Sequence, residues 1–421
     1  MLTPIFRLSS NKQSGEKMNI LLSAYSINPY KGSEDAVGWN WALTLSRKLP
    51  DSTIYIITKR FNEKDTRKGI EEFGLKNVKL IVVDVPNMLN WFREKHSVFH
   101  HGYYILWQKV AYNWVKKSGI KFDIIHHVSM GNYRICGYMY KFKDAHTIFG
   151  PVGGGQTTPE PLRSYYSTQK RYESFRDSVN RAFSKLNFYK KQINSFDDVY
   201  TVNDETKNAI ENATGKKCKK LCDISINSEM QKLDIVHSDK KPVEIIYLGR
   251  LIELKGIMLL VDAVKDIKTN TPFHVSLYGD GELKTAIKEK IDEYGLNDVM
   301  TLKGKVNYSD ITDIYKNADI FAHPTFRDSS GAVFVEAMAN KLPIVALKQS
   351  ISRDLDKHKC GIFVNVNQSK EEIINEFAND LAKIIENYDL RIELGQNGYD
   401  YANNYLTMDN KFDTVYGSLI K

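Results

Sequence analysis

Four cysteines in 421 residues (Cys136, Cys218, Cys222 and Cys360) are too few and too scattered to build a disulfide framework. Prolines number only 11, and no low-complexity tract argues for disorder. Nowhere do about 18 apolar residues run without a charge, which reads against a membrane-spanning helix. The opening MLTPIFRLSSNKQSGEKMNILL has no apolar core followed by a small-residue cleavage site, so no secretory leader is read there. Residues 1–17 are expected to be a flexible extension. The expected setting is the cytoplasm.

What is present fits a folded chain of two or three domains: 42% of residues are hydrophobic and 26% charged. The charge is unevenly spread. Residues 1–200 hold 30 Lys and Arg against 17 Asp and Glu, a net +13, which leaves −5 for the rest and +8 in total. A basic half joined to a mildly acidic one suggests domains with different partners, although a Lys-rich solubilising surface gives the same count.

Short β-branched runs alternate with helix-length amphipathic segments, the pattern of parallel α/β sheets. In the first half the predicted strands are Asn19–Tyr25, Ile54–Thr58, Lys79–Asp84, Asp123–Val128, Ala145–Phe149 and Asp198–Val202. In the second they are Val243–Gly249, Phe273–Gly279, Val299–Leu302, Asp319–His323, Pro343–Leu347 and Gly361–Asn365. The irregular stretch Ser225–Lys241 separates the two series. Two doubly wound, Rossmann-like domains facing across a cleft are therefore expected, over 18–225 and 226–399, with the helical tail 400–421 packing back on the first. Ligands of such sheets sit beyond the carboxyl ends of the strands.

Three stretches at predicted strand ends carry candidate chemistry. Tyr247–Gly256 (YLGRLIELKG) places Arg250 and Lys255 in a short loop before a helix, where two cations and unpaired N–H groups favour an anion, phosphate above all. A second glycine turn, Gly279 to Gly281, follows the next strand. The third stretch runs from Thr325 through Asp328, Ser330, Gly331 and Ala332 into the apolar helix Val333–Ala339, which carries Glu336. An acid on so apolar a helix needs a hydrogen-bonding partner or must be neutral.

Taken in order, these elements resemble glycosyltransferase family 4, the retaining nucleotide-sugar enzymes of GT-B fold, in its polysaccharide-assembling branch. An acid, seven residues, then Glu running into Glu-Ala-Met-Ala is that family's pattern, met here by Asp328 and Glu336 with Gly331 in register. Its first acid is usually Glu, so Asp328 is a methylene shorter. Arg250 and Lys255 match the family's cationic pair, and Gly249 and Gly279 its glycine turns. The stretch LKGKV resembles its base-binding edge, which puts the Val306 backbone against the nucleobase. The resemblance implies that Arg250, Lys255, Asp328 and Glu336 are catalytic, with Gly32, Gly249, Gly279, Val306, Ser330, Gly331 and Ala332 binding the donor.

The first half follows the same family more loosely. NPYKGSEDAVGWNWA sets Gly32 in a loop before a helix capped by Ser33, where backbone amides could approach a leaving diphosphate. The family commonly has a catalytic His at the end of the strand read here as DIIHHVS. Alternation lets only one of His126 and His127 face the cleft, and His127 is preferred. Gly150–Gly155 reads as a loop close to a ligand.

The resemblance implies transfer of a sugar from a nucleotide diphosphate sugar, UDP- or GDP-linked, to a saccharide or lipid-linked saccharide in cell-surface polysaccharide or lipopolysaccharide biosynthesis. No cofactor and no metal are expected. Asp354-Leu355-Asp356 reads as an exposed polar turn, and Cys218 with Cys222 does not close a zinc site. The aromatic and basic stretches Met88–Val115 and Arg163–Lys191 suit either an anionic membrane edge or a plain aromatic core. A nucleotide-sugar epimerase of the same fold and an inactive sugar-binding scaffold are the alternatives. Nucleic-acid binding lacks a recognisable module.

Overall fold

The computed structural model describes residues 17–32, 34–85, 100–226, 237, 239, 241–307, 310–329 and 331–420. Residues 1–16, Ser33, most of Ser225–Lys241, Met88 to 99 and Ser330 fall outside that description, and with them the sequence-based readings placed there.

Seven strands form the first sheet: β1 (Asn19–Ser23), β2 (Thr53–Thr58), β3 (Val78–Val82), β4 (Ile124–His127), β5 (His146–Val152), β6 (Asp198–Thr201) and β7 (Lys219–Lys220). Their order is β3-β2-β1-β4-β5-β6-β7, and every pairing is parallel. The second sheet contains β8 (Val243–Leu248), β9 (Phe273–Tyr278), β10 (Met300–Gly304), β11 (Ile320–Ala322), β12 (Ile344–Leu347) and β13 (Gly361–Val364). It is again all parallel, in the order β10-β9-β8-β11-β12-β13. In both sheets the winding direction reverses beside the first strand, between β1 and β4 and between β8 and β11. Those crevices are where a doubly wound sheet holds its ligand.

The strands read as unbroken Ile, Leu and Val runs because helices cover both faces. Ile20, Leu21 and Leu22 of β1 are all fully buried. Twelve strands lie where the sequence pattern put them, within a few residues at their ends. The thirteenth, β7, is a Lys-Lys pair with no apolar signal. β5 runs on through Gly150 and Pro151 to Val152, so the expected loop begins only at Gly153.

Aromatic side chains fill the N-terminal core on both sides. Above one face Trp41 of helix Glu34–Lys48 packs on His126 and Tyr416. Above the other, Tyr103, Tyr104 and Trp107 of helix His100–Lys117 surround Tyr25. This helix is thus the core alternative for the described part of Met88–Val115, with Ile105 and Leu106 exposed on its far side.

Two of the chain's crossings between the domains lie side by side. Leaving β7 the chain enters the second domain at Ile226, whose N–H donates to the Leu406 carbonyl at 2.9 Å. The return is later than expected. Helix Tyr388–Tyr405 stays with the second domain because Ala402 is buried in the cluster of Phe334 and Met338. Only helix Met408–Tyr416 packs on the first domain, through Phe412, Val415 and Tyr416. A third crossing was not legible in the sequence. Residues 160–169, between β5 and β6, lie on the second domain: Leu162 and Tyr166 join its core, and Tyr165 donates to Asp262 at 2.7 Å. The Glu253 carboxylate accepts the N–H groups of Ser167, Thr168 and Gln169 where helix Lys170–Ser184 begins.

The C-terminal helix is tied by a buried hydrogen bond of 2.8 Å between Tyr416 Oη and His126 Nδ1. Tyr416→Phe leaves that nitrogen unpaired in an apolar core and should destabilise the protein by about 1–3 kcal/mol. Denaturant unfolding checks this; an unchanged midpoint would mean that the tail does not hold the first domain.

Candidate active site

The loops at the two reversal points line one cavity of about 870 Å³ between the domains. From the first domain come Gly32, Glu34, Ser129, Gly131, Asn132, Arg134, Gly153, Gly154 and Gln156. From the second come Arg250, Lys255, Arg327, Asp328, Ser329, Gly331, Ala332 and Glu336.

In the second domain the ends of adjacent strands are stitched together. Gly249 N–H donates to the Tyr278 carbonyl at 3.0 Å, and Gly279 N–H to that of Gly304 at 2.8 Å. Gly279 has φ +143°, and a Cβ there would stand 1.8 Å from the Gly249 oxygen, so only glycine lets these turns approach. After β8 a single 3-10 turn, Glu253–Lys255, leads into helix Ile257–Lys265 and carries Lys255 to the cavity.

Lys255 Nζ meets Asp328 Oδ2 at 2.5 Å, both side chains about four-fifths buried. Burial works against ionisation of Asp328, but the Lys255 charge and hydrogen bond outweigh it and hold the carboxyl below its usual range. The other Asp328 oxygen accepts from Gly331 N–H at 3.4 Å. Gly331 has φ +63° and precedes helix Ala332–Ala339, whose first residues, Ala332 and Val333, line the cavity. Beneath the ion pair lies His323, its ring stacked on Tyr247 at 5.0 Å and on Phe321 at 5.7 Å. Burial and the nearby Lys255 charge push its pKa down to about 3, so this buried ring behind the cavity wall is neutral. Arg250 is exposed on the cavity wall and has no ion pair among the described residues.

Glu336 has the partner that its apolar helix demands: Tyr315 Oη donates to its Oε2 at 3.0 Å. Burial still raises its pKa to about 6.

Other expected residues stand differently. His126 and His127 project to opposite faces of the sheet, as alternation requires, but neither lines the cavity. His126 bonds Tyr416 and the Gly150 carbonyl, whereas His127 Nε2 meets Tyr104 Oη at 3.0 Å. Burial lowers them to about 3 and about 4, making both neutral core histidines. The expected cleft-facing role of His127 therefore has no geometric support. Val306 lies past β10, packed at the edge of the second-domain core, outside the cavity lining. Gly249 and Gly279 shape the wall from behind. Asp354-Leu355-Asp356 is helical, not an exposed turn: Asp354 pairs with Lys220 at 2.7 Å and Asp356 with Lys348 at 2.6 Å. Cys218 and Cys222 are free thiols.

Sequence reasoning missed Arg134, Arg176, Arg327, Gln156 and Tyr172 on the cavity wall. Ser329 is the hub of the domain contact. Its hydroxyl accepts from Gln156 at 2.6 Å and its carbonyl from Asn203 at 3.1 Å. The only hint in the sequence was the position of Arg327 and Ser329 on either side of Asp328.

Folding raises the Glu336 pKa, so its stabilising contribution is complete below about 4.5 and lost as pH rises through about 6. Glu336→Gln should match the parent in thermal melts near pH 4.5 and exceed it at pH 7.5, by up to about 2 kcal/mol. The same difference at both pH values would show a solvated carboxyl.

Residues 230–401 match the family model described as glycosyl transferases group 1. Over 162 residues, 38% of this chain and 43% of the other, the sequence is 25% identical to an uncharacterized glycosyltransferase of Methanocaldococcus jannaschii. Matches of this kind span about two fifths of the length of the curated relatives. Among solved structures, WaaG, a glycosyltransferase involved in lipopolysaccharide biosynthesis, aligns with TM-score 0.59 at 13% identity, over 94% of this chain and 100% of that one. HepE of Anabaena in complex with UDP-glucose aligns with TM-score 0.59 at 15% identity, over 96% and 99%. At those identities the likeness is one of fold. The chain has the GT-B fold, and its residues 230–401 carry the sequence pattern of the group 1 glycosyl transferases.

Proposed function

We propose that the protein is a retaining, family 4 glycosyltransferase that moves a hexosyl-type sugar from a nucleotide diphosphate sugar to a saccharide or lipid-linked saccharide. The observation that carries this reading is the convergence of Arg250, Lys255 and the start of helix Ala332–Ala339 on one inter-domain cavity. Breaking the anomeric C–O bond leaves negative charge on the β-phosphate. Cations and oriented amides in a partly dehydrated cleft stabilise that charge, each well-placed donor contributing a few kcal/mol. The leaving group is already acidic, so this field replaces a general acid and a divalent ion. Gly32, ahead of helix Glu34–Lys48, offers amides from the opposite wall.

In this reading Glu336 accepts the ribose hydroxyls and Asp328 both orients Lys255 and meets the sugar. Gly331 and Ala332 lie along the diphosphate. The departing phosphate takes the acceptor proton, which retains configuration. HepE is described in complex with UDP-glucose, which supports a UDP-linked donor, with GDP the other candidate. The role of WaaG supports a lipopolysaccharide or cell-surface polysaccharide product. The relatives named above are glycosyltransferases, which favours transfer over epimerisation.

The acceptor reading includes peripheral contact with the inner face of a membrane. Helix Lys170–Ser184 and the segment after it expose Tyr172, Phe175 and Phe188 among Lys and Arg side chains. Such a surface suits an anionic headgroup layer. Among the described residues no helix is long and apolar enough to cross a membrane.

Thermal melts with UDP, GDP and their sugars test the donor reading, since a bound nucleotide stabilises by mass action. One nucleotide should raise the midpoint, and Arg250→Ala or Lys255→Ala should weaken its binding at least tenfold. Equal binding by both variants and the parent would contradict the proposal.

A further inference from the structure

The cavity holds a second cluster of cations, apart from Arg250 and Lys255. Arg134 comes from the loop after β4, Arg176 from the second turn of helix Lys170–Ser184, and Arg327 from the loop after β11. All three line the cavity.

Their carboxylate partners do not suffice. Arg176 is 5% exposed and donates through Nη2 to the Gly154 carbonyl at 2.5 Å. Its Nη1 has no hydrogen-bond partner, because the nearest carboxylate oxygens, on Glu173 and Asp177, are 4.0 and 3.9 Å away. Glu173 is engaged by Arg327 at 2.9 Å and Thr158 at 3.3 Å, and Asp177 Oδ2 by Arg163 at 2.6 Å, while Asp177 Oδ1, itself without a hydrogen-bond partner among the described residues, stands too far from Arg176 Nη1 to bond it. Among the described residues Arg327 Nε also lacks a partner, and Arg134 Nε meets only the neutral Asn132 Oδ1, at 3.3 Å. Burial, then repulsion from Arg327 and Arg134, depresses the Arg176 pKa, so the three guanidinium groups feel one another.

A buried guanidinium with idle N–H groups is costly unless an anion completes its hydrogen bonds, and its fork fits two oxygens of one oxyanion. Two of these arginines belong to the first domain, opposite the loops assigned to the donor diphosphate. Tyr172, 56% exposed, also lines the cavity from the same helix as Arg176 and offers a ring on which a sugar can lie.

We infer that Arg134, Arg176 and Arg327 form an acceptor subsite for an oxyanion, a phosphate or carboxylate borne by the saccharide that receives the sugar. This inference rests on the transfer reading and adds the chemical class of the acceptor to it. A phosphorylated or lipid-diphosphate saccharide and a uronic acid present the same oxyanion.

The test uses the full chain saturated with UDP or GDP, whichever raises the melting midpoint, so that the donor phosphate site is filled. Methyl glucoside 6-phosphate, methyl glucuronide and neutral methyl glucoside are then titrated by ligand-observed NMR. At least one charged sugar should bind tenfold or more tighter than the neutral one. Tighter binding of the phosphate marks a phosphorylated or lipid-diphosphate acceptor, and tighter binding of the glucuronide a uronate. Arg134→Gln, a half-buried position, should cost that sugar at least tenfold in affinity while nucleotide affinity stays the same. Arg176→Lys, which keeps the charge and loses the fork, should also weaken it. Equal binding of the three sugars, no binding of either charged sugar, or full affinity in Arg134→Gln would overturn the subsite and leave the donor reading standing. Failure of both nucleotides to bind would instead remove the transfer reading beneath it.

Discussion

The Lys255–Asp328 ion pair joins the two loops that flank the reversal point of the second sheet. It is short and largely buried, and the neutral His323 ring closes the space below it. A pair so placed is costly to break, because either partner alone would be a charge without solvent. It therefore fixes where a cation faces the cavity and where helix Ala332–Ala339 starts. The left-handed turn at Gly331 and the helix start that follows inherit their position from it. In the proposed transfer an anion at this corner meets a cation already oriented, so little reorganisation accompanies binding.

The second domain alone makes half a site. The wall opposite is brought up by contacts between the domains: Ser329 with Gln156 and Asn203, Arg327 with Glu173, and Lys220 with Asp354. Residues 160–169 add an apolar hold, with Leu162 and Tyr166 in the partner core and Glu253 gathering backbone N–H groups. Motion between the domains would have to turn about the paired crossings at Ile226 and Leu406, while these polar contacts are made or lost at the mouth.

Much of the fold was legible because parallel strands covered on both faces leave short runs of Ile, Leu and Val that alternate with helix-length amphipathic segments. β7 was not, since two lysines at a sheet edge carry no apolar signal. That Arg250, Lys255, Asp328 and Glu336 line one cavity was legible too, since they sit in short loops or early in helices, where sequence neighbours remain neighbours in space. The opposite wall was hidden. Arg176 reaches the cavity from a helix 153 residues before Ser329, whose loop closes on it, and no local pattern marks a buried guanidinium. His127 shows the converse limit. Alternation correctly sent the paired histidines to opposite faces, yet whether a face holds a ligand or core aromatics depends on the helix above it, here the one carrying Tyr104.

The central claim is that a pyrophosphate lies between Arg250, Lys255 and the first amides of helix Ala332–Ala339. A crystal structure of the protein with bound UDP or GDP tests it most directly. The β-phosphate oxygens should lie within about 3 Å of both side chains. Nucleotide density elsewhere, with Arg250 and Lys255 left facing solvent, would contradict it.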